Sequence, residues 1–377
     1  TIGVAIDGKA GTFTRLVVAS AASFAAGSKL SVTLANVSRS EGSYQIISAG
    51  SLTGSANIVA SSIALPFLFK STLAGSDAAG TVTVDIKRKS ATEMALSGSQ
   101  ARAYDAVFRA LDSDAAVASS FLGAGNAAQA SAAVQQMLPD HAGGTFATVT
   151  QGSRATARFL TDTAAPYQNE GNWGFWLQQT VWGSAKDRDG TAAFDTSGWG
   201  ATGGAEIKAG DAGAFGLSLA YLRGKNDDTD TGNEVRSSQY ELAAHWRGDW
   251  GPLRTFVRGS AAQIEFDGTR RFASILSGAA VERIAEGSWS GQLYSASAGL
   301  AYEAQFGRRL VLRPAASIDY YRLDEDGYAE TGGGDAFNLT VDKRSSDEIA
   351  ANGTLVAGYD FGSLAADAVW LRAEIEG

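Results

Sequence analysis

Few residues in this sequence could carry catalysis or bind a metal. Cysteine is absent, which excludes disulfides, iron–sulfur clusters, thiolate zinc sites and cysteine nucleophiles. The two histidines, His141 and His245, are too far apart for an HExxH zinc motif, and neither is accompanied by a GxSxG serine. The sequence therefore predicts no enzyme, no metal site and no cofactor in this chain.

Two short motifs suggest ligand binding but lack the context that it requires. GAGNAA at residues 123–128 matches a GxGxxA dinucleotide pattern, yet no strand precedes it. DTDTGN at residues 228–233 resembles part of a calcium loop, but no bidentate glutamate follows at the right distance. We interpret the first motif as a connection between helices and the second as a solvated external loop.

Composition favours strands and tight turns over linkers. The 377 residues include 45 glycines and only 5 prolines. The 40 acidic residues exceed the 31 basic ones, so a nucleic-acid partner is not expected. No apolar run approaches the roughly 20 residues of a membrane helix. The opening TIGVAIDGKA has no signal-peptide pattern, so the sequence is expected to be a mature or excised piece.

The chain divides into three regions that differ in composition and apolar periodicity. Residues 1–89 consist of short alternating runs separated by Gly, Ser, Ala and Asn, which indicates stacked short strands in a small sandwich or the last coils of a β-solenoid. Bulky residues in this part need burial, and we predict a core formed by Leu65, Phe67, Phe69, Val82, Val84 and Ile86.

Residues 90–142 have helical spacing. Tyr104, Val107, Phe108 and Leu111 share one helix face, and Ser99 is the predicted N-cap. Further helices are predicted at residues 114–122 and 126–138. After a Gly pair, residues 145–163 are also helix-like, and they carry Arg154 and Arg158 four positions apart, which places both arginines on one face.

From residue 172 onward the apolar period becomes two. We count about nine strands, several with the ~9–11 residues that span a bilayer at the usual tilt. Long polar connections are predicted at residues 186–195, 226–234, 267–287 and 324–336, and tight ones at 209–213, 248–252, 307–308 and 362–363.

This alternation of long and short connections is typical of outer-membrane barrels. The second face of each strand carries small and polar residues, which suits a wet lumen, and aromatic residues gather near strand ends. A soluble all-β domain is the alternative, but it explains neither the loop lengths nor the polar face.

The order of these three regions resembles that of the classical monomeric autotransporters of Gram-negative bacteria, the type Va secretion class. The motifs that carry the resemblance are LSGSQARAYDAVF at residues 96–108, LPDHAGG at 138–144, WGFW at 173–176, RPAASIDY at 313–320 and WLRAE at 370–374. Each is weak alone, but their order and spacing along nearly the whole chain are specific.

The resemblance implies a mostly β fold: a short β-solenoid, a helical linker and an antiparallel transmembrane β-barrel with a helix in its lumen. The implied domains are the autochaperone-like end of a passenger (residues 1–89), the linker (90–142), the lumen helix (143–166) and the barrel (170–377). The implied function is anchoring in the bacterial outer membrane and export of the chain's own N-terminal passenger.

The implied partners are outer-membrane lipid, the barrel-assembly machinery, periplasmic chaperones and the chain's own passenger. The protein is expected to be a monomer. Because inward carboxylates could pair with the lumen helix, we predict contacts of Arg154 and Arg158 with Glu206, Glu241 or Glu303.

The sequence departs from the family pattern in two places. Family barrels have twelve strands, so we expect the natural chain to continue by about three strands beyond Gly377. No Asn-Asn pair occurs in the predicted lumen helix, so no autocatalytic cleavage is expected.

Two alternatives remain at this stage. One is a surface adhesin or structural β-helix protein for which the barrel is only an anchor; deleting residues 1–89 and measuring surface binding would separate it from a translocator. The other is a porin, which predicts steady ion conductance with the helix in place.

Overall fold

The computed structural model describes residues 1–58, 63–139, 143–161, 168–187, 193–276, 278–307, 309–363 and 370–376. It divides into two compact units. The first unit consists of Thr1–Pro139 together with Arg270–Glu286 and Glu330–Leu339; the second consists of Asp140–Thr269, Gly287–Ala329 and Thr340–Gly377. Among the described residues, none of the helices combines the length and the apolar character that crossing a bilayer requires.

The first unit begins with eight strands. They are β1 (Ile2–Asp7), β2 (Thr12–Phe13), β3 (Leu16–Ser23), β4 (Leu30–Leu34), β5 (Gly42–Thr53), β6 (Ile63–Ala64), β7 (Phe69–Ser76) and β8 (Thr81–Arg88). Most are short because Gly, Ser and Asn interrupt each apolar run after a few residues.

Parallel pairing stacks like residues from successive coils. In one sheet β1 pairs with β4 and β4 with β6, so Ile2, Leu30 and Ile63 are neighbours. In the other sheet β3 pairs in parallel with β5. Strands β7 and β8 then pair antiparallel, and β8 also pairs antiparallel with β5. Coils in parallel register identify this segment as the predicted β-solenoid, with an antiparallel hairpin at its C-terminal end.

Three helices follow: α1 (Gly98–Ala110), α2 (Ala115–Leu122) and α3 (Ala127–Gln136). The prediction of Ser99 as the first N-cap is wrong by two residues. Ser97 is the N-cap, and its backbone N–H donates to the Gln100 side chain over 3.0 Å, which is half of a capping box. Asp114 and Asn126 cap α2 and α3 through backbone N–H groups of the first turn.

One hydrophobic core joins the strands and helices of the first unit. Val84 of β8 is fully buried, and Phe108 of α1 meets Phe69 of β7 edge to face, with ring centroids 5.9 Å apart. Of the predicted core residues, Phe69, Val82, Val84 and Ile86 are buried, whereas Leu65 and Phe67 are partly buried and pack against the cluster. Residues 98–136 therefore share a core with the solenoid instead of forming a separate connection.

In the residues that the structure describes, the second unit consists of a helix, one large antiparallel sheet and a separate pair of short strands. Its elements are α4 (Gly144–Ala157), β9 (Gln168–Glu170), β10 (Trp173–Lys186), β11 (Phe194–Lys208), β12 (Ala214–Asp228), β13 (Glu234–Trp250), β14 (Leu253–Ser274), β15 (Val281–Tyr302), β16 (Ala304–Phe306), β17 (Leu310–Glu325), β18 (Tyr328–Ala329), β19 (Thr340–Val341), β20 (Arg344–Ser363) and β21 (Trp370–Glu376). A short 3-10 turn, Arg158–Thr161, extends α4.

The strands of this sheet follow chain order from β9 to β21, with β18 and β19 in a separate pair. Among the described residues, eight of them have 14 to 22 residues and β21 has seven, which agrees with the prediction of about nine strands; the three-residue strands β9 and β16 extend the sheet locally. The predicted loop at residues 267–287 is wrong, because β14 and β15 continue to Ser274 and from Val281. These strand ends lack a continuous apolar face, so the period-two signal did not predict them. Backbone pairing between strands does not require such a face.

Candidate functional site

The sheet of the second unit exposes its apolar face. On β12, Leu217 and Leu219 are 62% and 67% exposed, whereas the intervening Gly216 and Ser218 are buried. On β10, Leu177 is 78% exposed. Exposing these apolar side chains to water costs free energy, whereas contact with hydrocarbon does not, so this face fits lipid.

Helix α4 packs against the opposite, inner face, on strands β10 to β13. It is built from small and hydroxyl-bearing residues and is buried along most of its length. The hydroxyls of Thr148 and Thr150 donate to carbonyls of the same helix, those of Gly144 (2.8 Å) and Phe146 (3.0 Å). Because the helix satisfies these hydroxyls itself, it can bury them beside Val149 and Phe146, which pack in an apolar cluster on the inner face.

Glycines allow α4 and the sheet to approach closely. A Cβ on Gly152 of α4 would stand 2.9 Å from the Trp182 ring, and a Cβ on Gly224 of β12 would stand 2.2 Å from the Thr148 methyl. Each glycine removes the atom that would hold helix and strand apart. The inner face is therefore fitted to this helix by shape as well as by polarity.

A buried ion pair on the sheet holds the middle of α4. Glu241 of β13 pairs with Arg258 of β14, and their side chains are only 1% and 4% exposed. Ser153 of α4 donates its hydroxyl to Glu241, and Thr156 donates to the same carboxylate over 3.0 Å. The Arg258 guanidinium donates to the Thr156 oxygen over 2.9 Å. Charge-assisted hydrogen bonds of this kind stabilise one position of the helix in the sheet.

Arg154 reaches a different part of the sheet. Its guanidinium lies 3.4 Å from Asp319 of β17 and 3.4 Å from Glu348 of β20. These carboxylate partners differ from the three glutamates expected from the sequence. Successive residues of a helix point about 100° apart, so Ser153 faces Glu241 while Arg154 faces the far strands. Since α4 contacts strands from β10 to β20, the sheet curves around the helix.

Arg158 lies in the 3-10 turn that follows α4, beside Phe159. The Phe159 ring packs against Trp176 of β10, with centroids 5.0 Å apart, and edge-on against His245 of β13, at 5.7 Å. This aromatic cluster holds the end of the helical segment against the first strands of the sheet.

The two other predicted glutamates pair within the sheet. Glu206 accepts two hydrogen bonds from Arg247, one of them over 2.9 Å, and lies 3.5 Å from His245. Glu303 lies 3.8 Å from Arg313. Of the predicted carboxylates, Glu241 accepts hydrogen bonds from Ser153 and Thr156 of α4.

Sequence reasoning did not single out Ser153, Thr156, Arg258 or Asp319. The two strand residues carry a usable signal, because each alternates with outward apolar residues: Arg258 follows Val257, and Asp319 follows Ile318. The helical residues carry none, since serine and threonine occur all around α4.

The motifs that suggested ligands have structural roles. Asp228 accepts backbone N–H groups of Asp230 (2.8 Å) and Thr231 (3.1 Å), which makes residues 228–233 a hydrogen-bonded turn. GAGNAA joins α2 to α3, and His141 lies outside the described residues. Within the described part of the chain, no group of three or more His, Asp or Glu side chains could hold a metal ion.

Comparison with known proteins adds family evidence to this geometry. A family model described as the autotransporter beta-domain matches residues 175–376, which is more than half of the chain. Esterase EstA of Pseudomonas aeruginosa and esterase EstA of Pseudomonas putida are each 27% identical over 209 residues, which is 53% of this chain and 31% of each relative. The chain thus spans about a third of the length of these relatives.

Among solved structures, the chain is similar to the translocator domain of autotransporter NalP from Neisseria meningitidis. That chain is 20% identical, with a TM-score of 0.44, and the match covers 60% of this chain and 75% of the other. The ferric yersiniabactin uptake receptor FyuA from Yersinia pestis matches with a TM-score of 0.27 and 14% identity over 52% of this chain and 33% of its own.

The length of the family match, and a sheet with an apolar outer face around an enclosed polar helix, lead to one assignment. The chain belongs to the autotransporter family, and residues 175–376 are its β-domain, the part that anchors in the bacterial outer membrane and exports a passenger to the cell surface.

Proposed function

We propose that α4 is the last segment of the exported chain to enter the β-domain and that it stays in the lumen as a plug. The observation that carries this proposal is the buried network of Glu241 and Arg258 with Ser153 and Thr156. Such a network gives the helix one defined resting position, which a polypeptide sliding through the lumen would lack.

The inner face around the helix also suits a hydrated lumen. Gln178 Oε1, Thr180 Oγ1 and Trp182 Nε1 are buried and make no hydrogen bond to any residue that the structure describes. Buried polar groups are rarely left unsatisfied, so water is their natural partner. A wet interior is what an unfolded chain needs during passage, because its backbone amides must stay hydrogen-bonded.

Residues 1–89 serve, in this proposal, as the end of the passenger that folds first outside the cell. Parallel coils present edges on which a preceding coil can pair, and each added coil buries apolar surface. Folding can therefore draw the chain outward without ATP. The barrel-assembly machinery and periplasmic chaperones belong to the proposed biogenesis, with lipid and the passenger as the lasting partners and a monomer as the working state.

The proposed translocator carries out no catalysis. The relatives are named esterases, and this chain covers 31% of their length. Any enzymatic activity of the whole protein is thus assigned to a passenger, while the β-domain and α4 act by binding, enclosing and releasing a polypeptide.

A gel experiment with a matched pair of variants tests the lipid-facing sheet. The native full-length protein is extracted from outer membranes in detergent and run in SDS with and without boiling, because closed barrels resist SDS until heated. Leu219→Asp places a charge on the exposed face and should abolish the fast-migrating cold form. Ser218→Asp, one residue away on the inner face, should retain it.

Either of two outcomes would refute the proposal. If the wild-type protein shows no mobility shift and fractionates as a soluble protein, the sheet is a soluble β-domain. The same conclusion follows if Ser218→Asp is the damaging variant and Leu219→Asp is silent.

A further inference from the structure

Two segments that lie far along the chain complete the first unit. Arg270–Glu286 spans the end of β14 and the start of β15, and Glu330–Leu339 precedes β19. We call these two segments the clamp. They lie inside the range that matches the β-domain family, whereas the helices with which they share a core lie outside it.

The apolar part of the clamp is aromatic. Phe272 and Phe337 are fully buried, and their rings meet edge to face at 6.1 Å. Phe121 of α2 stacks on Phe272, with planes 7° apart and centroids at 6.2 Å. Val281 and Ala285 of the clamp are buried in the same core. Removing the clamp would therefore expose one face of α2.

Arg270 links the clamp to the end of α3. Its guanidinium forms a two-bond ion pair with Glu330, both bonds at 2.8 Å, and the two side chains are 5% and 3% exposed. The same group donates to the backbone carbonyls of Gln136 and Leu138, each at 3.3 Å. The last carbonyls of a helix lack partners within the helix, and a cation is favoured there.

Two more contacts fix the register of the helices on the clamp. Arg283 forms a two-bond ion pair with Asp114, the N-cap of α2, at 2.7 and 3.0 Å. The Gln136 side chain accepts the backbone N–H of Ala273 over 2.7 Å. The start of α2 and the end of α3 are thus both held by clamp residues, which apolar packing alone would not specify.

We infer that the clamp is a docking surface for α2 and α3 and that it retains the end of the exported chain outside the cell. The helices are linked covalently to α4, and the clamp, which continues directly from strands β14 and β15, adds a second, noncovalent attachment. The inference rests on the proposed export of residues 1–139, and it adds a specific binding surface that export by itself does not require.

Residues 1–377 contain no cysteine, so a thiol introduced here is the only one in this part of the protein. Ser120 of α2 is fully buried, and Ser120→Cys is nearly isosteric. A membrane-impermeant maleimide is added to intact cells that carry the full-length protein, and the labelling rate of the thiol reports the opening of α2. Ala106→Cys on an exposed position of α1 reports export itself.

Arg270→Ala and Phe272→Ala, each in the Ser120→Cys background, should raise the labelling rate by about tenfold or more, since each removes a buried partner of the helices. Arg270→Lys should give an intermediate rate, because it keeps the charge but loses the two-bond fork. Arg236→Ala is the matched control: its side chain is 64% exposed and pairs with Glu234 on the same strand, so labelling should stay at the wild-type rate.

Each outcome decides the inference. Unchanged labelling in Arg270→Ala and Phe272→Ala overturns it, and so does an equal rise in Arg236→Ala. If either variant loses the heat-dependent gel shift, Arg283→Ala replaces it, because that pair is partly exposed, and unchanged labelling there also overturns the inference. Failure of export is separate, since Ala106→Cys would then remain unlabelled in intact cells.

Discussion

The two units place apolar and charged residues differently. The first has an ordinary dry core, with Val84 and Phe108 inside. The second turns Leu217 and Leu219 outward and encloses Glu241 and Arg258. The contrast shows that apolar periodicity gives the two faces of a strand but not which of them is buried, because that depends on whether water or lipid lies outside.

A buried arginine–glutamate pair nevertheless holds helices in both units. Arg270 and Glu330 fix the end of α3 in the first unit, and Arg258 and Glu241 fix α4 in the second. In each case the arginine also donates to the helix itself. Paired charges give positional specificity whatever the surrounding core is made of.

The largest expected effect tests the dry core. Val84→Asp buries an unpaired carboxylate and should destabilise the first unit by at least about 4 kcal/mol, which is enough to unfold it. Trypsin should then cut at Arg102 and Arg109 of α1 in purified protein. All eight tryptophans lie in residues 173–370, so tryptophan fluorescence should still report a folded second unit. Thr83→Asp, half-buried on the other face of β8, is the control, and equal cleavage in both variants would contradict the assignment.

The next effect tests the polar interior. Glu241→Ala leaves Arg258 buried without its partner, which should cost about 3 kcal/mol and lower the midpoint of thermal unfolding followed by tryptophan fluorescence. Glu241→Met combined with Arg258→Met should lie close to wild type, because no charge is left unpaired. A midpoint unchanged by Glu241→Ala would mean that the network does not hold α4.

A smaller effect is expected at the edge of that network. Arg154→Glu combined with Arg158→Glu places a carboxylate beside Asp319 and Glu348. The free energy of unfolding should fall by about 1 kcal/mol, which lowers the same midpoint slightly, and the effect is small because Arg154 is 35% exposed. Because salt screens exposed charges, the loss should shrink at 1 M salt. The same double substitution without any change in midpoint would show that α4 is held without its arginines.

The smallest effect is a pH dependence on the surface of the first unit. The Lys70 ammonium, 2.7 Å away, and hydrogen bonds from Ser90 lower the pKa of Glu93 from 4.5 to about 2. A depressed pKa means that the charged carboxylate stabilises the fold above pH 4.5, and that this contribution is lost as the pH falls toward 2. Glu93→Gln should therefore lower the melting temperature at pH 6 but hardly at pH 2. An equal difference at both pH values would show that the carboxylate charge is not the cause.

Local patterns predicted most elements because each requires only near neighbours. The period of two predicted the strands of the large sheet, and helical spacing predicted α2 and α3 within a few residues of their bounds. The start of α1 was missed because Ser97 and Ser99 are equivalent as isolated caps, and the reciprocal contact with Gln100 chooses between them.

Composition and periodicity predicted the stacked short strands of residues 1–89, the helices, the two-faced strands and the lack of cysteine chemistry, since both act locally. Parallel pairing in the folded chain then distinguished a β-solenoid from a small sandwich. The pairing partners came from the three-dimensional fold: Glu241 with Ser153, Arg154 with Asp319 and Glu348, and Arg270 with the end of α3. These residues lie dozens to more than a hundred positions apart. Which charges pair therefore depends on how the sheet curves and on which distant segments of the chain come together. Local sequence patterns specify neither of these.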